Sequence, residues 1–245
     1  MREIVLDTET TGFDPESGDR IVEIGAIELY NHLPTGGTFH VYINPDRSMP
    51  DEAFGVHGIG PDLLESGARD AKPGEITLKD KPVFSAFGQQ FLEFIGGDSK
   101  LIIHNASFDM KFLNAELRWL GLPQIPWDRA LDTLAIARRR FPGSPASLDA
   151  LCRRFGIDNS SREKHGALLD SEILAEVYLE LIGGRQPDFA LQVTTGRQTE
   201  GQVTEDWRPR PRSTPLPARI TQEEAAAHVS FVEELGDGAV WKKFG

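Results

Sequence analysis

The sequence predicts an α/β fold, a mixed central sheet flanked by helices, followed by a C-terminal tail with a short helix. Strand-like apolar runs come first, and strand-like and helix-like segments then alternate, as in sheets covered by helices. Beyond residue 184 the sequence becomes polar and, toward its end, proline-rich, with no apolar period. We therefore expect a domain at 1–184, a flexible linker at 185–220 and a C-terminal segment at 221–245.

Apolar periodicity places the individual elements. An apolar run at residues 4–6 ends in acidic residues and a turn at Gly12, which predicts a first buried strand. Further strands are predicted at 21–29, 39–43 and 101–103, and helices at 82–95, 131–141, 148–155 and 168–182, with another through 112–120 that ends before Gly121. The polar stretch 65–81 is interpreted as a surface insertion. A capping-box pattern at 221–224 predicts a last helix.

The overall charge is acidic, with 26 Lys and Arg against 38 Asp and Glu, a net charge of −12. Such a balance argues against a protein that holds nucleic acid through a basic surface. The single cysteine, Cys152, excludes an internal disulfide and favours a reducing compartment. No signal peptide or membrane-spanning stretch is recognisable, so a cytoplasmic protein without membrane contact is expected.

The acidic residues Asp7 and Glu9 follow the first predicted strand. Side chains alternate along a strand, so these two carboxylates share one face. They repel each other unless a proton or a cation lies between them. A solvated strand end is the plain alternative, but the position after a buried strand favours a divalent-cation site.

Three further residues belong to the same prediction. Asp109 follows the strand at 101–103, and His165 and Asp170 surround the start of the last long helix. Functional groups of open α/β sheets gather outside strand ends, so all five residues could converge there. Four carboxylates suit two hard cations, Mg²⁺ or Mn²⁺, which assist phosphodiester cleavage. His165 titrates near neutrality and is the candidate general base.

Longer motifs carry a resemblance to a known family. The segments 6–12, 54–58, 104–109 and 165–170 resemble the DEDDh 3′→5′ exonucleases, and most closely their proofreading members in bacterial replicative polymerases. The resemblance covers nearly all of 1–184. It implies a ribonuclease H-like fold, a two-metal mechanism and a DNA 3′ end, single-stranded or frayed, as substrate. The stretch 67–79 departs from the family pattern.

Residue roles follow from the matched motifs. The resemblance implies that Asp7, Glu9 and Asp170 hold one metal and touch the substrate, with Asp7 bridging to the second metal. It assigns Asp109 to the second metal, through water. The segment with Glu52 and His57 matches positions that contact the terminal nucleotide.

The tail also resembles known segments of the proofreading members. Gln186, Phe189 and Leu191 match the peptide that binds the sliding clamp, a glutamine followed by apolar anchors. The terminal segment with Trp241 resembles the part that docks on the polymerase catalytic subunit. Whether a small accessory subunit also binds is left open at this point.

Two other functions remain compatible with these residues. A stand-alone exoribonuclease that trims RNA 3′ ends would share the catalytic set. A non-catalytic subunit that bridges clamp and polymerase would share the tail. The intact set of carboxylates argues against the second alternative, because an idle acidic cluster would only destabilise the fold.

Overall fold

A computed structural model describes residues 1–160, 164–183 and 220–236. Its centre is a five-stranded mixed sheet in the order β3-β2-β1-β4-β5. The antiparallel strands are β1 (Arg2–Thr10), β2 (Ile21–Tyr30) and β3 (Leu33–Tyr42), whereas β4 (Lys100–Ile103) and β5 (Ala130–Asp132) run parallel to β1. The predicted α/β class is thereby confirmed.

The alternation of β1 divides its apolar side chains between the two faces of the sheet. Ile4 and Leu6 pack on one side with residues of α2 (Gly88–Ile95) and α3 (Ala106–Trp119). Val5 packs on the other side with α4 (Thr133–Arg140), α5 (Leu148–Phe155) and α6 (Ala167–Leu181). Because helices cover both faces, the three residues before Asp7 in β1 form a continuous apolar run, Ile4, Val5 and Leu6.

Local tertiary contacts explain where the sequence-based prediction was wrong. The helix predicted from residue 131 begins only at Thr133, because residues 130–132 pair with β4 as strand β5. The helix predicted at 82–95 is interrupted, with a 3₁₀ turn (Phe84–Ala86) preceding α2. A short helix, α1 (Asp51–His57), forms where no helix was predicted.

The stretch 65–81, which was interpreted as a surface insertion, is attached to the rest of the domain by a buried side chain and by hydrogen bonds. Leu78 is fully buried and packs in a small apolar cluster with Val22 and Met49. Both oxygens of Asp62 accept hydrogen bonds from the backbone of this stretch, at Leu78 and Lys79. Arg69 and Glu75 form a bidentate ion pair inside it. Most of the stretch is thus exposed, while Leu78 and the hydrogen bonds to Asp62 fix it to the domain.

The C-terminal helix, α7 (Gln222–Glu234), begins as the sequence predicts. Thr221 and Glu224 form a capping box, in which each side chain bonds the other residue's backbone N–H. The apolar side chains of Val229, Phe231 and Leu235 are exposed. The predicted clamp peptide, 186–191, and Trp241 lie outside the described residues. Among the helices that are described, none is long and apolar enough to cross a membrane.

Candidate active site

Asp7 and Glu9 lie at the end of β1, on the face that packs against α6. In the register with β2, Asp7 lies opposite Gly25 and Glu9 opposite Glu23. A Cβ atom at Gly25 would come within 2.1 Å of the Leu168 backbone nitrogen. Glycine at this position therefore allows the first turn of α6 to lie directly against the sheet, beside the two carboxylates.

A braced turn between β4 and α3 positions Asp109. Asn105 adopts a left-handed conformation with φ 68° at the start of α3, and its N–H donates to Asp132 Oδ1 at 3.0 Å. His104 Nδ1 lies 2.9 Å from Thr133 Oγ1, which supports the same turn. Asp109 is buried one turn into the helix, where Thr8 Oγ1 donates to its Oδ1 at 2.8 Å.

His165 and Asp170 come from the start of α6. Gly166 is the N-cap residue, and Asp170 lies buried in the first turn of the helix. His165 Nδ1 is 3.2 Å from Asp170 Oδ2, while the His165 side chain keeps 47% of its surface exposed. A partly exposed imidazole therefore stands at the rim of a buried acidic group.

The structure brings all five predicted residues to one cavity of about 470 Å³, namely Asp7, Glu9, Asp109, His165 and Asp170. The sequence analysis did not single out other lining residues, among them Asn105, Phe108 and Asp149. Arg138, on α4, also lines the cavity. The first-turn position of Asp149, after the Ser147 cap, resembles ordinary helix capping and gave no functional signal.

Burial of the carboxylates, followed by their mutual repulsion, governs the electrostatics of this cavity. The pKa of Asp7 is raised well above its ordinary value, first by burial and then by Asp109, Glu9 and Asp170. Burial raises the pKa of Asp109 to about 7, although the hydrogen bond from Thr8 acts in the opposite direction. At neutral pH, the carboxylates therefore stay fully ionised only if cations lie between them. Without cations, some of them hold protons.

Ligand atoms of Glu9, His165 and Asp170 lie within 4.8 Å of one another, a spacing that could hold one metal ion. This compact trio includes His165, whereas the sequence analysis grouped Asp7 with Glu9 and Asp170. Asp7 and Asp109 stand on the same cavity but outside the trio. The trio therefore offers two carboxylates and one imidazole nitrogen, and the carboxylates of Asp7 and Asp109 line the same cavity.

Glu52 and His57 lie on a neighbouring cavity, also about 470 Å³, formed by the turn after β1 and by α1. Phe13 stands at this cavity with 86% of its surface exposed, and its ring makes an edge contact with Phe108. Ile59 N–H donates to His57 Nδ1 at 3.0 Å, so the ring proton belongs on Nε2. Burial lowers the pKa of His57 to about 4, which keeps the ring neutral at physiological pH.

Fold and site together define a nuclease with acidic metal-ligand candidates. The exonuclease family model matches residues 4–72 and 74–178. Among solved structures, the nuclease domain of 3′hExo, a DEDDh family member bound to rAMP, is 20% identical with a TM-score of 0.57, covering 74% of this chain and 91% of that one. Exonuclease X in complex with 5′ overhanging duplex DNA is 23% identical with a TM-score of 0.52, covering 73% and 90%. These similarities confirm the ribonuclease H-like fold.

Similarity to curated proteins extends over the whole chain. DNA polymerase III subunit epsilon of Rickettsia felis is 48% identical over 238 residues, which is 96% of this chain and 97% of the relative. The Escherichia coli K12 protein of the same name is 42% identical over 252 residues, 98% and 97% of the two chains. The chain belongs to the DEDDh exonuclease family and, within it, to the epsilon subunits of DNA polymerase III. It is a 3′→5′ exonuclease with a proofreading function.

Proposed function

We propose that the chain hydrolyses the terminal phosphodiester of a DNA 3′ end with two divalent cations, Mg²⁺ or Mn²⁺, as part of a bacterial replicative polymerase. Exonucleases of this family depend in general on divalent metal ions. The observation that carries the proposal is the convergence of four carboxylates and one imidazole on a single cavity. The name of the relatives, a subunit of DNA polymerase III, supports DNA and a polymerase complex as partners.

The donor set fits hard divalent cations. Mg²⁺ and Mn²⁺ prefer carboxylate oxygen ligands, and the pKa values of Asp7 and Asp109 are raised mainly by burial, to which repulsion between carboxylates adds at Asp7; bound cations would offset both effects. We propose that Asp7, Glu9 and Asp170 would hold one cation and contact the substrate, and that Asp7 and Asp109 would hold the second cation.

Bound cations would stabilise negative charge on the attacking and leaving oxygens of the phosphodiester. The side chains supply the remaining functions. Asp170 Oδ2 holds His165 Nδ1 at 3.2 Å and so orients the imidazole at the rim of the cavity. The other ring nitrogen, Nε2, takes a proton from the attacking water as a general base. Because Asp170 sits in the first turn of α6, ring orientation depends on where that turn lies.

The terminal nucleotide occupies the cavity next to the carboxylates. Glu52 and His57 line this cavity, and Thr8 and Glu9 line both cavities. The neutral His57 presents no charge to the nucleotide, and its buried Nε2 interacts with the Thr10 backbone, which lines the same cavity. The apolar rings of Phe13 and Phe108 offer surfaces against which a base can pack. This arrangement suits a single unpaired 3′ nucleotide.

Affinity for DNA must come partly from elsewhere, because a chain at −12 repels phosphate. We propose that the exonuclease domain, 1–184, is tethered by the linker 185–220 and the segment 221–245. Gln186, Phe189 and Leu191 would bind the sliding clamp, and the terminal segment with Trp241 would bind the polymerase catalytic subunit. The exposed apolar side chains of α7 support a partner surface for that segment. A tether replaces intrinsic affinity by effective concentration.

The exoribonuclease alternative shares the carboxylates, so the site alone does not distinguish it. Two of the similar solved structures concern RNA or a ribonucleotide, but at 18% and 20% identity they bear on the fold only. The relatives named as polymerase subunits match 96% or more of this chain, including the segment that follows α6. A free nuclease has no need of that segment, and we therefore favour the polymerase subunit.

Asp7→Asn tests the proposal. A primer labelled at a mispaired 3′ end is incubated with Mg²⁺ and the full chain, with and without the polymerase subunit. We expect Asp7→Asn to lose at least about 10²-fold in excision rate, because the charge stabilisation by a bound metal is worth several kcal/mol. Asp98→Asn, at an exposed aspartate before β4, is the control and should excise normally. Substantial Mg²⁺-dependent excision by Asp7→Asn would exclude the two-metal assignment, and a preference for RNA ends would favour the exoribonuclease.

A further inference from the structure

A fifth acidic residue, Glu23, is buried beside the site and has no role in the mechanism above. It lies in β2 with 2% of its surface exposed, and the strand register places it directly opposite Glu9. Like charges opposite each other on neighbouring antiparallel strands are destabilising. The position of Glu23 therefore calls for compensating contacts.

Both carboxylate oxygens of Glu23 have a partner. Oε2 accepts a hydrogen bond of 2.9 Å from the backbone N–H of Ala167, the first residue of α6. Oε1 lies 2.7 Å from His40 Nε2, on the neighbouring strand β3. Ala167 is two residues after His165 and three before Asp170, so Glu23 holds the turn that carries both. Ser171 Oγ adds a second bond to β2, at the Gly25 carbonyl oxygen, 2.9 Å away.

The same helix has a second tether of the same kind at its other end. Glu3, in β1, is fully buried and accepts a 2.7 Å hydrogen bond from Tyr178 Oη. Its other oxygen accepts a hydrogen bond of 3.1 Å from the backbone N–H of His32, and His32 Nδ1 lies 2.9 Å from the same oxygen. Tyr178 is eleven residues beyond Ala167, which is about 16 Å along an α-helix. Both glutamates fasten α6 to the sheet, but only Glu23 does so at the site.

We propose that Glu23 is a positioning residue of the nuclease site, which fixes the first turn of α6 so that Asp170 lies at metal-binding distance from Glu9 and His165 lies beside both. The inference rests on the proposed two-metal function. Residues behind the metal ligands orient them, and their loss typically reduces metal affinity or activity about 10- to 100-fold. His40 contributes by holding the second oxygen, which keeps the Glu23 carboxylate aimed at the Ala167 N–H.

Three full-length variants test this role, namely Glu23→Ala, Glu23→Gln and Glu3→Ala. For each, Mn²⁺ alone is titrated into the metal-free protein by calorimetry, and turnover on single-stranded DNA and the melting temperature are measured. We expect Glu23→Ala to weaken Mn²⁺ binding and to lower kcat by about 10- to 100-fold. Glu23→Gln should recover most of both, because its amide oxygen can still accept from Ala167 N–H. Glu3→Ala should lower the melting temperature but leave Mn²⁺ affinity and kcat within about twofold of wild type, because its tether lies far from the metal ligands.

The comparison between the two glutamates decides the outcome. Equal loss of Mn²⁺ affinity in Glu23→Ala and Glu3→Ala, or wild-type affinity in Glu23→Ala, overturns the positioning role. If Glu23→Ala does not fold, Glu23→Asp, whose shorter side chain draws the carboxylate away from the Ala167 N–H, is compared with Glu3→Asp, and only the first should show a measurable loss of Mn²⁺ affinity. A wild-type chain that neither binds Mn²⁺ nor cleaves DNA would instead contradict the proposed function itself.

Discussion

Asp109 should make the metal-free protein less stable as the pH rises. Burial raises its pKa to about 7 in the folded chain, against an ordinary value of 3.8. A carboxyl group with a raised folded-state pKa contributes stability that is fully present below the unfolded pKa and is lost as pH rises through the folded pKa. A shift of about three pKa units corresponds to about 4 kcal/mol. Above pH 7, the folded wild type therefore carries a penalty of that order relative to pH 4.

Asp109→Asn removes this penalty and keeps an oxygen that can accept from Thr8 Oγ1. In EDTA, the variant should be more stable than wild type by up to about 4 kcal/mol at pH 8, and the difference should shrink steadily toward pH 4. Urea unfolding at several pH values measures it, and Asp98→Asn controls for the loss of one surface charge. Saturating Mg²⁺ should stabilise wild type more than the variant at pH 8. A variant that is equally destabilised at every pH would refute the electrostatic reasoning.

Two further predictions concern catalysis and the tail. His165→Ala should lose about 10²- to 10⁴-fold in kcat, which is the usual contribution of a general base. Calorimetry should show that Mn²⁺ still binds to the carboxylates of this variant. Normal turnover would exclude His165 as the base. A chain ending at residue 184 should cleave free single strands at the rate of the full chain but fail to co-purify with the polymerase subunit and the clamp. Changing Gln186, Phe189 and Leu191 together to alanine should abolish only clamp binding. Undiminished polymerase affinity of the shortened chain would mean that the tail is not the tether.

The central strand and its two acidic residues were predictable from sequence because they rest on local chemistry. Three apolar residues followed by alternating carboxylates specify a buried strand with an acidic face at its end. The capping box at Thr221 is equally local, since its two hydrogen bonds join residues only three apart. Local chemistry did not predict the roles of Asp109, His165 and Asp170. Their convergence with the end of β1 was inferred from the geometry of strand ends and from the motif resemblance.

Features that depend on distant partners could not be read from the sequence. Strand β5 has only three residues, and its pairing with β4 outweighs the helical pattern that continues from it. Leu78 lies in a polar stretch and shows its role only when packed against Val22. Glu23 gave no signal either, because the sequence does not show that this strand residue is buried or that Ala167, far along the chain, donates a hydrogen bond to it.

The acidity of the site and the acidity of the whole chain have the same consequence for substrate binding. With Asp7 and Asp109 ionised and no cation bound, the cavity would repel a phosphodiester. The proposed cations at the carboxylates would reverse the sign of that interaction locally, while the net charge of −12 would continue to disfavour duplex DNA outside the site. Under the proposed mechanism, metal binding and DNA binding are therefore thermodynamically linked, and each should strengthen the other. Such linkage, combined with the proposed tether, would restrict cleavage to an end that is delivered to the site, as proofreading requires.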